Sequence, residues 1–375
     1  MTGIYIHIPF CRSKCHYCNF FSVASQKYQR EYVDALCSEI GQQRQFFDSG
    51  SEIETIYFGG GTPSLLHPEE AIRILETVYK EFRVRADAEI TFETNPDDAD
   101  PAFLKILFLA GINRLSIGTQ SFNDQELQYL GRKHDAEKGI ISVSHARDAG
   151  FTNISLDIIF GLPKEVAQSP VHNLEQLLNL NPEHVSAYSL TMEPDTILAV
   201  LASKGRMLPP DEDFAADHFR FYMDSLCNAG YEHYEISNYA RPGFRSKHNA
   251  AYWQSKPYLG VGAGAHSYDL KARSVNVSAI RKYMEGIFNG TPFRETEILS
   301  LNDKYHDYLL TSIRTSEGIS LAYIRRVFGE KFLLHIHKQA GEYIESGMLI
   351  SDGYVLKLSK TGKLWTDRIS EKLMV

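Results

Sequence analysis

Residues 3–18 read GIYIHIPFCRSKCHYC, and this stretch decides the fold. Its first six residues are a short β-branched and aromatic run of the kind that forms a strand. Directly after it, Cys11, Cys15 and Cys18 stand in the spacing C-x3-C-x2-C within a loop. Five cysteines in 375 residues are too few, and odd in number, for a disulfide framework. Three of them within eight residues point instead to a metal in a reducing compartment. Three thiolates leave a tetrahedral zinc site one ligand short, so a zinc reading must recruit His7 or His16. A cubane iron–sulfur cluster held by three thiolates keeps one iron open, and the amino and carboxylate groups of a methionyl moiety can fill that position.

Outward from the triplet, short apolar runs alternate with longer amphipathic stretches as far as residue 236. Strands are expected at 3–8, 53–58, 88–93, 113–117, 153–159, 184–190 and 231–236, several of them nearly continuous apolar runs as in buried parallel strands. The clearest helix is 27–46, where Tyr32, Val33, Leu36, Cys37 and Ile40 recur at helical spacing. A second is 212–229, with Phe219, Met223, Leu226 and Cys227. Cys37 and Cys227 are therefore expected to be core thiols. Repeated βα units give either an open doubly wound sheet or a barrel. The functional motifs favour an α/β fold of the partial (βα)6 TIM-like barrel type.

Those motifs fall where strands end. Gly59-Gly60-Gly61-Thr62-Pro63-Ser64 follows the second strand, and its glycines let backbone groups approach a ligand without interference from a Cβ. Glu93, Gln120, Arg132 and Asp157 recur at or just beyond the ends of later strands. In a parallel barrel those ends meet on one rim, where ionisable groups bind or react.

With these residues in place, this part of the chain resembles the radical SAM superfamily, whose cluster and S-adenosylmethionine together generate a 5′-deoxyadenosyl radical. The ordered set YIHIPFCRSKCHYCNF, FGGGTP, RLSIGTQSF, GRKHD and DIIFGLP is similar to the oxygen-independent coproporphyrinogen III oxidase branch, over roughly residues 3–270. The resemblance implies cofactor contacts at Tyr5, Tyr17, Gly60, Gly61, Thr62, Glu93, Gln120, Arg132 and Asp157. Tyr17 would lie against the adenine, and the last four would hold amino, carboxylate and ribose groups. Two departures set the chain apart from the oxidases. They continue the triplet as C-x-C, whereas here Cys18-Asn19 leads to Phe20, and they carry an extension before the first strand.

An aromatic residue after the triplet and an H-N-x-x-Y-W segment mark the heme chaperone group of this branch, which the chain resembles through His248-Asn249-Ala250-Ala251-Tyr252-Trp253. That resemblance implies heme. His248 would be an axial iron ligand, and Tyr252 and Trp253 would offer flat apolar surface with a polar edge. Lys247 and Arg245 would either pair with propionates or stand as solvated surface charges, and His266 is a weaker second ligand candidate. The other reading of the segment is a packed aromatic corner around a hydrogen-bonded histidine.

The expected function is thus a heme-binding chaperone carrying a 4Fe–4S cluster and S-adenosylmethionine, which passes heme to an acceptor protein and draws on a reductant such as flavodoxin or ferredoxin. The alternatives are oxidative decarboxylation of coproporphyrinogen III, or a radical reaction on an unrelated small molecule.

Composition agrees with a globular chain: 43% apolar, 23% charged, net charge −8. No basic cluster is dense enough to track a nucleic acid backbone. No export signal or bilayer-length apolar run is evident, so a cytoplasmic location is expected. Residues 1–236 are expected to form the barrel, 237–290 an aromatic and glycine-rich segment packed on it, and 191–211 an excursion or lid. From 291 to 375 the pattern changes to helices at 302–314, 319–327 and 331–346, with a hairpin at 348–358 turning at Asp352-Gly353. This is a small winged-helix-like unit without a dominant basic face.

Overall fold

The computed structural model describes residues 2–167 and 169–375. Six parallel strands form the frame: β1 (Gly3–Ile8), β2 (Ile53–Gly60), β3 (Val84–Thr94), β4 (Arg114–Gln120), β5 (Ile154–Phe160) and β6 (His184–Ser189), paired in sequence order. Period-two alternation sorts their side chains. Ile4, Ile6 and Ile8 join the main hydrophobic core beneath the helices, while Tyr5 and His7 face the lumen, where Tyr5 stacks on Tyr57 of β2. The crossover helices cover the outside, among them Gln29–Gln42, Pro68–Glu81, Pro101–Leu109 and Ala136–Ala149. Three of the five crossovers between these strands carry a helix that opens with proline at its first position, where its missing N–H costs nothing.

The sheet does not close. Beyond β6, the short strands β7 (Glu232–Glu235) and β8 (Asn238–Ala240) pair antiparallel. Beyond β1, β9 (Tyr258–Val261) runs parallel to it, followed by β10 (His266–Tyr268), β11 (Ala272–Asn276) and β12 (Arg294–Ile298) in antiparallel order. The result is a partial (βα)6 barrel inside a twelve-stranded sheet. Residues 291–298, which the sequence pattern groups with the terminal unit, supply its outermost strand.

A second, separate apolar cluster lies between Tyr305 and Leu373. It is built on helices Leu301–Ser312, Leu321–Val327 and Glu330–Glu345 and on a three-stranded sheet that includes the hairpin strands Leu349–Ser351 and Val355–Leu358. Where a helix is expected from 319, Ile319–Ser320 instead forms the third strand. The contacts Arg273–Asp307 and Ser255–Thr311 hold this unit against the end of the barrel where β1 begins, not against the cysteine loop. Among the described residues no helix is long and apolar enough to cross a membrane.

Cys227 departs from expectation. It is exposed, because the buried face of helix Glu212–Asn228 runs through Phe219, Met223 and Leu226, and the next residue turns about 100° away. Cys37 is half-buried against the main core.

Candidate cluster and cofactor site

Because β1 to β6 are parallel, every loop after a strand reaches the same rim. The cysteine loop is closed on itself there: Cys11 N donates to Val23 O at 2.9 Å and Val23 N to Pro9 O at 2.7 Å. All three thiols are free and half-buried. Burial raises the Cys18 thiol above its usual range, with Cys15 and Cys11 adding to the rise. Thr62 Oγ1 donates to Cys11 Sγ at 3.5 Å, and Arg132 Nη1 to Cys15 Sγ at 3.5 Å.

Neither histidine of the zinc reading is aimed at the thiols. His7 is bonded at both ring nitrogens, to Tyr5 Oη at 3.1 Å and Phe21 O at 2.9 Å. His16 turns Nδ1 to Tyr129 O at 2.7 Å. Among the described residues no three His, Cys, Asp or Glu side chains gather around a single ion, whereas a cubane asks each thiolate to reach a different iron. The 191–211 excursion carries helix Ile197–Ser203 and sits on this loop, with Leu198 N donating to His16 O at 2.8 Å.

The glycine-rich turn packs tightly beside the loop. A Cβ on Gly61 would stand 2.8 Å from the carbonyl oxygens of Ile8 and Phe10, and one on Gly60 would enter the His7 ring. Gly60 N donates to Glu93 Oε2 at 3.2 Å and Tyr57 Oη to Glu93 Oε1 at 2.8 Å. Burial, with Asp157 nearby, pushes the Glu93 carboxyl up to about 7. Asp157 accepts from Ser116 Oγ at 3.2 Å, and burial pushes it up to about 6. Two carboxyls in one lumen are thus raised because burial outweighs the opposing charge of Arg114. Gln120 is buried at the end of β4 with a left-handed φ of 63°, a conformation that non-glycine residues adopt rarely.

Arg132 bridges strand ends: Nη2 donates to Asn95 Oδ1 at 3.0 Å and Gly118 O at 2.9 Å, while Nε is buried without a partner. Its guanidinium also meets the Tyr17 hydroxyl. The Tyr17 ring packs against an apolar cluster of Leu130, Ile159, Leu162, Leu190 and Leu198. Tyr5 lies deeper, hydrogen-bonded to His7. Sequence reasoning missed Asn95, Asp98 and Arg114, and gave Ser64 no role beyond closing the glycine-rich turn. Asn95 and Asp98 follow Glu93 by two and five residues. Arg114, 1% exposed in the lumen, sits in a strand whose apolar neighbours hide it.

The HNAAYW segment lies at the other end of the barrel. Helix Lys247–Trp253 is capped by Glu89, whose Oε1 and Oε2 accept from His248 N and Lys247 N at 3.0 Å. His248, 2% exposed, packs beside Gly3 and binds Thr55 Oγ1 through Nδ1 at 2.8 Å and Tyr252 Oη through Nε2 at 2.9 Å. Its ring stacks on Tyr57, with centroids 5.0 Å apart. Burial, reinforced by Arg114, lowers its imidazole to about 3. The expected axial ligand therefore has no free ring nitrogen in this arrangement. It stands about 16 Å from the cluster rim, given five residue steps along β1 at ~3.3 Å each. Tyr252 shares this corner, while Trp253 is half-buried with Nε1 unpartnered. Arg245 is taken up by Glu232 and Glu317, and Lys247 Nζ donates to Asp87 O, so neither is kept for a propionate as expected. His266 is exposed on β10, on the His7 side of the sheet.

The model of the Radical SAM superfamily matches residues 5–177. The chain is 35% identical to the heme chaperone HemW of Bacillus subtilis (strain 168), over 97% of each chain. It is 33% identical to the mitochondrial radical S-adenosyl methionine domain-containing protein 1 of Bos taurus, over 100% of this chain and 87% of the relative. This chain belongs to the HemW family of radical SAM proteins. The solved structure of coproporphyrinogen III oxidase, HemN, from Escherichia coli covers 100% of this chain and 90% of its own, with a TM-score of 0.84 and 24% identity, which shows a shared fold.

Membership in the HemW family implies a 4Fe–4S cluster and S-adenosylmethionine. The residues present fit both. The triplet offers three thiols in a half-buried pocket with donors already aimed at two of them. The turn at Gly60 and Gly61 leaves no room for a Cβ. The lumen holds two carboxyls that a cationic or hydroxylated ligand would ionise, beside the orphaned Nε of Arg132 and Oγ1 of Thr94.

Proposed function

We propose that this chain is a heme-binding chaperone that keeps a 4Fe–4S cluster and S-adenosylmethionine at the open rim of its barrel and passes heme to an acceptor protein in the cytoplasm. The observation that carries this reading is similarity along the whole chain to relatives named as heme chaperones, 35% identical over 97% of both chains in one case. Phe20, 65% exposed, stands where the oxidases place a further cysteine and agrees with it.

Cys11, Cys15 and Cys18 would hold the cluster, and the backbone of residues 60–62 the methionyl end of the cofactor. Glu93, Gln120, Arg132 and Asp157 would take its amino, carboxylate and ribose groups, with Tyr17 against the adenine. Bound there, the pair supplies one-electron chemistry and a site where an organic radical can form. The protein's own part is placement: Glu93 and Asp157 give up protons as donors arrive, and the excursion braces the cysteine loop through Leu198 N and His16 O.

Heme enters this reading as cargo. His248 can reach iron through Nε2 only by releasing Tyr252, so heme binding at this corner requires helix Lys247–Trp253 to shift. The test is anaerobic reconstitution of the cluster, hemin titration into wild type and His248→Ala, and a turnover assay with coproporphyrinogen III. Saturable hemin binding without turnover is expected. Turnover to protoporphyrinogen with no hemin binding would replace this reading by the oxidase. Equal hemin affinity in His248→Ala would move the iron ligand elsewhere, with His266 as the next candidate.

A further inference from the structure

We propose that Arg132 sets the reduction potential of the cluster and that Asp98, two segments away, is the residue that positions it. The proposal rests on the cluster being held by the triplet, and not on heme binding. The resemblance places Arg132 against S-adenosylmethionine, but the geometry also directs one of its nitrogens at a cluster ligand.

The guanidinium is fixed from behind. Nη2 is anchored to Asn95 Oδ1 and Gly118 O at the ends of β3 and β4, which leaves Nη1 directed at Cys15 Sγ, 3.5 Å away. From Asn95 a chain of hydrogen bonds runs back to the cysteine loop. Asn95 N donates to Ser64 Oγ at 3.1 Å, and Ser64 Oγ donates to Asp98 Oδ2 at 3.0 Å. Asp98 Oδ1 accepts from Arg12 Nε at 3.1 Å and Nη2 at 2.5 Å, and Arg12 follows Cys11 directly. Asp98, its side chain 3% exposed, thereby ties together the cysteine loop, the glycine-rich turn, the end of β3 and Arg132.

A cationic donor on a ligand thiolate stabilises the reduced, more negative cluster and so raises its potential. Arg132 and Cys15 are both half-buried, which weakens the screening of that charge by water. The three thiolates are unequal in this respect. Cys15 faces a guanidinium, Cys11 a neutral hydroxyl, and Cys18 the more distant Lys14 of its own loop. The one-sided placement makes Arg132 the largest single lever the chain has on the cluster.

The experiment is an EPR-monitored redox titration of the reconstituted full-length protein, without S-adenosylmethionine, for wild type, Arg132→Gln, Arg132→Lys, Asp98→Asn and Asn95→Ala. Glutamine keeps an N–H donor and removes the charge, so Arg132→Gln is expected to lose tenfold or more in the equilibrium constant for reduction, about 59 mV for a one-electron couple. Arg132→Lys is expected to retain more than half of the effect. Asp98→Asn and Asn95→Ala are expected to move the midpoint in the same direction by less, with wild-type iron and sulfide content. A purely structural role would alter stability or cluster yield and leave the potential of intact clusters in place. Unchanged midpoints in Arg132→Gln and Asp98→Asn overturn the proposal. Should Arg132→Gln fail to hold a cluster, an unchanged midpoint in Asn95→Ala, which touches no sulfur, overturns it as well. A wild-type protein without iron and sulfide would also overturn it, by removing the cluster itself, whereas failed hemin binding would not bear on it.

Discussion

Asp157→Asn isolates the cost of keeping a charge in the barrel lumen. Asp157 is enclosed by Ser116, Ser155 and Ser186, and burial lifts its carboxyl from 3.8 to about 6. That rise corresponds to about 3 kcal/mol between the protonated and ionised forms, at 1.36 kcal/mol for each factor of ten. The folded chain holds this proton more tightly than the unfolded chain. Its contribution is therefore complete below pH 3.8 and is lost as the pH rises through about 6. Asparagine cannot titrate, and it cannot accept all the serine donors, so it carries a constant penalty with no slope. Measured by urea unfolding of the cofactor-free protein, wild type should gain on the variant by about half of the 3 kcal/mol between pH 8 and pH 5. Glu93 adds in the same direction, because its raised carboxyl depends in part on Asp157. A stability difference that is flat with pH, or that favours the variant at low pH, would refute the reasoning. The same physics gives the lumen its use, since a ligand that brings donors to Asp157 and Glu93 replaces the missing solvation and releases their protons.

Glu39→Gln strikes the buried strut between helix Gln29–Gln42 and the β9–β12 extension. Glu39 is 0% exposed and accepts from Gly262 N, Tyr283 Oη, Asn276 Nδ2 and Arg294 Nη2, so an amide nitrogen would face a donor and the Arg294 guanidinium would lose its counter-charge. A loss of about 3–5 kcal/mol in urea unfolding is expected. A change below 1 kcal/mol would mean the strut relaxes into water. Gly61→Ala sets a methyl against two carbonyl oxygens of the chain that enters the cysteine loop, and should cost about 1–3 kcal/mol. It should also lower the iron retained after anaerobic desalting, whereas wild-type retention would show that the turn and the loop move independently.

The frame was legible from the first residues. Strand positions 3–8, 153–159 and 184–190 fall within a residue of those found, because buried parallel strands announce themselves as unbroken β-branched runs. The polar rim was legible too, since parallel strands deliver their following loops to one end. Less readable were short antiparallel pieces such as His266–Tyr268 and Ile319–Ser320, which exist only because a neighbouring edge offers hydrogen bonds. The Asn95–Ser64–Asp98 relay links residues 31 and 34 positions apart, and no local pattern encodes such a link.

By itself, the sequence determined that three thiols follow a first strand, that a glycine turn follows the second, and that carboxyls and an arginine end the later ones. Spacing and alternation are local properties, and they survive without knowledge of what packs where. Only the tertiary structure decided which of these groups are free. His248 sits beside tyrosines in the sequence whatever the fold, but the closing of helix Lys247–Trp253 against Gly3 and Thr55 turned it from an open ligand into a doubly bonded, buried imidazole. Arg132 was one polar residue among several until the fold anchored Nη2 on Asn95 and Gly118 and brought Nη1 to Cys15.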